Sequence, residues 1–185
     1  MHLFPFEHDH QLTEHEKFTF YKNYLQLAAM EKQGAGLNPK DRIIFLGSGP
    51  FPLSLILLCS LYDLKGLGIE QEASSVELSR QIVLHLGLED QIQIMCGNHF
   101  SLPLQEEEAQ LLMVAAMARP KKEIFAHLAQ ILPVGSLVSF RLYEKGLRKI
   151  LDREEDEFIL PREFSEYQRI LPQPPVNNTV VVVKR

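Results

Sequence analysis

The sequence predicts an α/β fold: a mostly parallel, seven-stranded sheet that closes in a C-terminal antiparallel hairpin. Three observations predict it. Apolar runs of strand length alternate with helical patterns from residue 42 onward, the order that builds a parallel sheet with helices on its faces. Runs such as "RIIFLG" and "LLMVAA" are almost unbroken, as strands buried on both faces must be. The chain ends on "EYQRIL" and "TVVVVK" around "PQPPVNN", two strands about a proline and asparagine connection.

The elements follow in order. Residues 1–13 are polar and histidine-rich without periodicity, and read as an arm. A helix is predicted over 14–33, where Phe20, Tyr24, Leu27, Ala28 and Glu31 recur at the three- and four-residue steps of one face. Gly34 and Gly36 end it. Strands are predicted at 42–47, 65–70, 91–96, 110–115 and 135–142, and helices at 52–62, 74–86, 120–131 and 145–152. "EEE" at 106–108 and "REEDE" at 153–157 read as solvated loops. The chain thus divides into an N-terminal arm and helix, 1–40, and a single ligand-binding domain, 41–185. A parallel α/β sheet closing in an antiparallel hairpin is the Rossmann-like architecture of the class I methyltransferase fold.

Composition excludes several function classes. The 185 residues make about one domain, and 45% hydrophobic content is ample for a core. A net charge of −5 offers no basic face to nucleic acid. The longest apolar run, Phe51 to Cys59, is interrupted by Pro52 and Ser54 and is too short to span a bilayer. "MHLFPFEHDH" has no basic segment followed by an apolar one, so it does not read as a secretory signal. Cys59 and Cys96 lie in apolar segments and read as reduced core thiols rather than a disulfide. The expectation is a cytoplasmic protein with no membrane and no nucleic-acid partner. His2, His8, His10 and His15 fall in no tetrahedral spacing, so no metal is assigned to them.

The turn after the first strand, "GSGPFP", carries the chemistry. In an open parallel sheet ligands sit at the carboxyl ends of the strands, and this turn faces that crevice. Gly47 and Gly49 let the backbone of Gly47, Ser48, Gly49 and Pro50 approach a ligand. A pyrophosphate wants free N–H donors at the following helix start, and Pro50 and Pro52 remove two. That favours an adenosyl ligand without phosphate, such as S-adenosylmethionine, over a nucleotide; the alternative is a glycine turn of structural use alone. Glu70, about twenty residues on at the end of the second strand, stands where an acid takes ribose hydroxyls. Glu72 reads as ordinary helix-start charge. Asn98, after the third strand, can hydrogen-bond adenine. Ala115 and Ala116, after the fourth, are small enough for a donor to lie against the backbone.

Other residues have a chemical and a plain reading side by side. Glu31 shares an apolar helical stripe, where a carboxylate is expensive unless paired or protonated; burial suits it to act as a base, and its alternative is a helix-end acid facing water. Tyr24 can orient an acceptor or Glu31, or simply close the core. Arg141 and Tyr143, at the end of the fifth strand, can hold a substrate carboxylate or form a strand-end salt bridge. Asn178, with Asn177, opens the last strand as a substrate contact or a turn former.

Several stretches together resemble nicotianamine synthase and its archaeal and bacterial relatives: "FYKNYLQLAAME", "GSGPFPLSLILL", "EQEASSVELSRQIVLHLG", "LLMVAAMARPKKEIF", "RLYEKGLRKIL" and "VNNTVVVVK". That family has a methyltransferase-like fold. The resemblance implies transfer of the 3-amino-3-carboxypropyl (aminobutanoyl) group of S-adenosylmethionine, the co-substrate, to a small-molecule amine or amino acid, releasing 5′-methylthioadenosine. It places the family's catalytic glutamate at Glu31. Members carry a helical domain ahead of this fold, where residues 1–40 stand here, and "RLYEKGLR" is one residue longer than the family pattern. An ordinary methyltransferase and a non-catalytic adenosyl-binding module are the alternatives, and a homodimer is left open.

Overall fold

The computed structural model describes residues 14–102, 109–143, 160–170 and 177–185. Along the chain run α1 (Glu14–Gly34), β1 (Arg42–Leu46), α2 (Leu53–Tyr62), β2 (Lys65–Glu70), α3 (Ala73–His85) and β3 (Ile92–Cys96). A short 3₁₀ turn (His99–Ser101) leads toward β4 (Leu111–Val114), α4 (Lys121–Ile131), β5 (Leu137–Tyr143), β6 (Phe164–Ile170) and β7 (Asn177–Lys184). The arm at 1–13, the helix predicted at 145–152 and the acidic stretches at 106–108 and 153–157 lie outside the described residues.

The strands form one seven-stranded sheet in the order β3-β2-β1-β4-β5-β7-β6. β1 to β5 are parallel, while β7 runs antiparallel to both β5 and β6. The terminal hairpin is therefore present, with its second strand inserted beside β5 and its first at the edge. Strand order reverses between β1 and β4, which opens a crevice at their carboxyl ends.

Each central strand feeds two cores because successive side chains point to opposite faces. From β1, Ile43 and Phe45 join α2 and α3 in one cluster, while Ile44 and Leu46 join Phe125 and Leu128 of α4 in the other. α2 is buried from Leu53 to Cys59, because α1 lies over it. A stretch covered on all sides should be apolar all round, and over Leu53–Cys59 all but Ser54 are. Wholly buried Leu55 and Leu58 each contribute about 1.5–3 kcal/mol. Burial pushes the Cys59 thiol up to about 12, only partly countered by Lys65, so this cysteine is an inert core residue. Cys96, expected in the core, is instead exposed at the end of the edge strand β3.

α1 buries Asn23, Leu27, Ala28 and Glu31 along one stripe, with Tyr24 half-buried beside them. It ends in a left-handed Gly36: the Gly36 N–H donates to the Gln33 carbonyl at 3.1 Å and the Leu37 N–H to Lys32 at 3.0 Å. That pair of bonds satisfies carbonyls a helix end would otherwise orphan. The helix is thereby stopped with Glu31 directed at the sheet.

Candidate functional site

The crevice is a cleft of about 620 Å³, a size suited to a small ligand. Its floor is the turn after β1. Gly47 and Gly49 have φ of +76° and +72°, a region that costs side-chain-bearing residues strain. A Cβ on Gly47 would also meet Ala118 Cβ at 3.2 Å and Ala115 Cβ at 3.3 Å, so two walls of the cleft touch there.

The N–H groups of Gly47, Ser48 and Gly49 are spent within the protein. Gly47 and Ser48 both donate to the Ile69 carbonyl, at 2.8 and 3.3 Å. Gly49 donates to Glu70 Oε2 at 3.0 Å, and Pro50 and Pro52 have no N–H. A phosphate would find no cradle of donors here and would face a carboxylate instead. The other oxygen, Glu70 Oε1, accepts from the Glu72 N–H at 3.0 Å. Each carboxylate oxygen can accept again, and Glu70 lines the cleft. Its orientation is thus fixed by two backbone donors while acceptor capacity remains.

Asn98 opens the 3₁₀ turn. Its Oδ1 accepts from the Phe100 N–H at 2.9 Å, and its own N–H donates to Ser101 Oγ at 3.2 Å. The acceptor end of its amide is thus engaged, and the donor end has no hydrogen-bond partner among the described residues. Ala115 sits at the end of β4, anchored by its N–H to the Leu46 carbonyl at 3.0 Å. Gly47, Ser48, Gly49, Pro50, Glu70, Asn98 and Ala115, all singled out from sequence, line this one cleft.

The far end is built by β5, α1 and α2. Arg141 and Tyr24 line it, but Glu31 stands behind Arg141 and is wholly buried. Arg141 Nε donates to Glu31 Oε1 at 3.1 Å and Nη2 to Oε2 at 2.8 Å, a forked ion pair. Nη1 donates to Ser54 Oγ at 2.7 Å. Thr179, paired with Arg141 across the β5–β7 ladder, adds a hydroxyl to Glu31 Oε1 at 3.4 Å. The guanidinium also lies 5.7 Å from the Tyr24 ring centre and 5.5 Å from that of Phe45, within cation–π range. Burial by itself would pull the Arg141 pKa down; the charge and hydrogen bonds of Glu31 outweigh it and hold it above the ordinary value.

The plain reading of Glu31 falls away, while the plain reading of Arg141, a salt bridge, holds. Glu31 does not face water, and Arg141's salt-bridge partner is Glu31 itself. The strand positions of Tyr143 and Asn178 bring them close, since Leu142 pairs with Asn178 and Tyr143 with Asn177; their side chains lie outside those described.

Sequence reasoning missed Ser54, Thr179, His99 and Lys121. Ser54 carried a signal, a polar residue inside the apolar run Leu53–Cys59. His99 is buried on the cleft wall, its Nε2 without a hydrogen-bond partner among the described residues. Burial first, and the neighbouring His127 second, lower its pKa against the opposing pull of Glu123.

Comparison with known proteins agrees with this geometry. The family model described as "Nicotianamine synthase protein" matches residues 5–185. L-histidine 2-aminobutanoyltransferase of Yersinia pestis is 23% identical over 133 residues, 72% of this chain and 49% of that protein. Nicotianamine synthase 3 of Oryza sativa subsp. indica is 38% identical over 58 residues, 29% of this chain and 17% of that one. Among solved structures, a glutamate-to-glutamine mutant of MtNAS in complex with S-adenosylmethionine superposes with a TM-score of 0.79 at 29% identity, covering 91% of this chain and 64% of that one. An RNA methyltransferase from Salinibacter ruber in complex with S-adenosyl-L-homocysteine, at 16% identity and a TM-score of 0.65, shares the fold alone; it covers 85% of this chain and 90% of that one. The chain spans about half the length of the Yersinia relative and under two thirds of MtNAS. By fold, by cleft and by a match along nearly its whole length, this chain belongs to the nicotianamine synthase family.

Proposed function

We propose that this chain binds S-adenosylmethionine in the cleft and transfers its aminobutanoyl group to an amine acceptor, releasing 5′-methylthioadenosine. The observation that carries the donor assignment is the turn whose N–H groups are committed to Ile69 and Glu70. It fits an adenosyl group and disfavours a phosphate. The remaining lone pairs of Glu70 suit ribose hydroxyls, and the amide N–H groups of Asn98 suit the ring nitrogens of adenine. Family membership supports aminobutanoyl transfer over methyl transfer, since the methyltransferase likeness extends to fold alone.

Glu31 is assigned to take the proton of the acceptor's ammonium before attack, with Tyr24 orienting the pair from beside it. Arg141 is assigned to receive a substrate carboxylate, with Tyr143 and Asn178, at the same end of the β5–β7 pair, as further acceptor contacts. In the structure Glu31 and Arg141 hold each other. A carboxylate that draws the guanidinium to itself would free Glu31, so substrate binding and release of the base become one event. The acceptor class is an amino acid or other small amine. The exposed free thiol of Cys96 fits a reducing compartment, and we place the protein in the cytoplasm on that ground. No described helix is long and apolar enough to cross a membrane. The test is product analysis with S-adenosylmethionine and a panel of amino acids. 5′-Methylthioadenosine together with an aminobutanoyl-extended acceptor supports the reading. S-adenosylhomocysteine would mean methyl transfer, and neither product would mean a binding module.

A further inference from the structure

Lys121 is the first residue of α4, yet its side chain is only 5% exposed. Both facts run against ordinary preference. Lysine is almost never buried without partners, and the positive end of a helix dipole disfavours a cation in its first turn. Two of its partners are backbone carbonyls. Lys121 Nζ donates to the Ala116 oxygen at 2.7 Å and to the Ala118 oxygen at 3.2 Å. Those residues belong to the connection from β4 to α4, whose Ala115, Ala116, Met117, Ala118 and Arg119 all line the cleft. This same connection meets the glycine turn, through Ala115 and Ala118 against Gly47. The ammonium therefore fixes the wall that faces the turn, and with it the width of the slot between them.

Resting on the donor assignment above, we propose that Lys121 is a positioning residue for the adenosyl end of the donor: it holds the Ala115–Arg119 wall at the spacing the Gly47 turn requires. It touches no substrate and acts through the carbonyls of Ala116 and Ala118. Removing the ammonium frees two carbonyls near the cleft and lets the wall relax away from Gly47.

Isothermal titration of the full chain with S-adenosylmethionine and with 5′-methylthioadenosine tests this, beside melting temperatures. Lys121→Met should weaken both ligands about ten- to a hundredfold, the cost of a wall displaced by about an ångström. Lys121→Arg, which keeps a cationic donor, should recover most of that loss. Leu128→Ala, in the buried face of α4, should lower the melting temperature while leaving both affinities within about twofold, as distant sites do. The proposal is overturned if Lys121→Met binds within that range, if Lys121→Arg folds without recovering affinity, or if Leu128→Ala weakens binding equally. Failure of both Lys121 variants to fold would also overturn it, by making the contact a general folding element. Wild type that binds neither compound would instead bring down the donor assignment itself.

Discussion

The forked bond between Glu31 and Arg141 decides how substitutions at either position should behave. Taking one partner from a buried pair leaves the other charge without compensation and costs about 3–5 kcal/mol. Glu31→Gln therefore strips Arg141 of a counter-charge as well as removing the proposed base. We expect its melting temperature to fall and its turnover to drop about a hundredfold or more. Affinity for 5′-methylthioadenosine should hold, because Glu31 does not line the cleft. Adding Arg141→Met to Glu31→Gln separates the two effects. The double variant should regain much of the lost stability, since apolar replacement of a buried pair is often close to neutral, and should stay inactive. A double variant as active as wild type would refute a catalytic Glu31. Tyr24→Phe keeps the ring beside Arg141 and should cost less than Glu31→Gln. His99 gives a prediction in pH. Its folded pKa lies below the ordinary 6.5, so between those two values the unfolded chain binds the extra proton. Stability is thus full above about 6.5 and is lost as pH falls through that window. Melting curves of wild type should decline there, and those of His99→Gln should decline less; equal slopes would mean His99 takes no part.

Among the elements, the glycine–proline turn is where a small change should matter most. Gly47 and Gly49 share a left-handed φ, but only Gly47 has neighbours where a Cβ would sit. Gly49→Ala should cost about 1–2 kcal/mol from backbone strain alone. Gly47→Ala adds pressure on Ala115 and Ala118, so it should be the less stable of the two and lose more affinity for the donor. Unfolding curves and titrations of both variants check the ranking. This turn was legible in the sequence because its chemistry is local: two glycines, two prolines and an acid at a set distance. The elements were legible for the same reason, with each described strand and helix found close to its predicted span. Contacts between distant segments were not. Glu31 and Arg141 were each picked out, but their bond joins residues 110 positions apart, and no periodicity encodes it. Thr179 reaches the same carboxylate only through the β5–β7 register. Lys121 was invisible because the bonds that hold it to the cleft wall go to carbonyls, which every residue has. The insertion of β7 beside β5, leaving β6 at the edge, likewise depends on long-range pairing.

For the whole molecule, the reversal of strand order between β1 and β4 places the cleft over the centre of the sheet. A ligand there meets the ends of several strands at once, so occupancy should be felt as global stability. A ligand that binds only the folded state at a hundred times its Kd stabilises by about 2.7 kcal/mol. For a chain of this size that is a rise of about 5–10 °C in melting temperature. The structure makes this response selective. The backbone donors from Gly47 to Gly49 are already bonded to Ile69 and Glu70, so a phosphate on the 5′ carbon would gain no N–H bonds at the turn. It would also bring negative charge toward the Glu70 carboxylate. S-adenosylmethionine and 5′-methylthioadenosine carry sulfur at that carbon and avoid both penalties. In a thermal-shift series we expect those two to raise the melting temperature and AMP, ADP and NAD to leave it nearly unmoved. Glu70→Ala should shrink the rise, weakening binding by about 1–3 kcal/mol for the lost charged acceptor. It should not turn the cleft into a phosphate site, because Gly47 and Ser48 would remain bonded to Ile69. AMP or ADP stabilising wild type as strongly as 5′-methylthioadenosine would show that the turn has donors to offer, and the adenosyl assignment would fall with it.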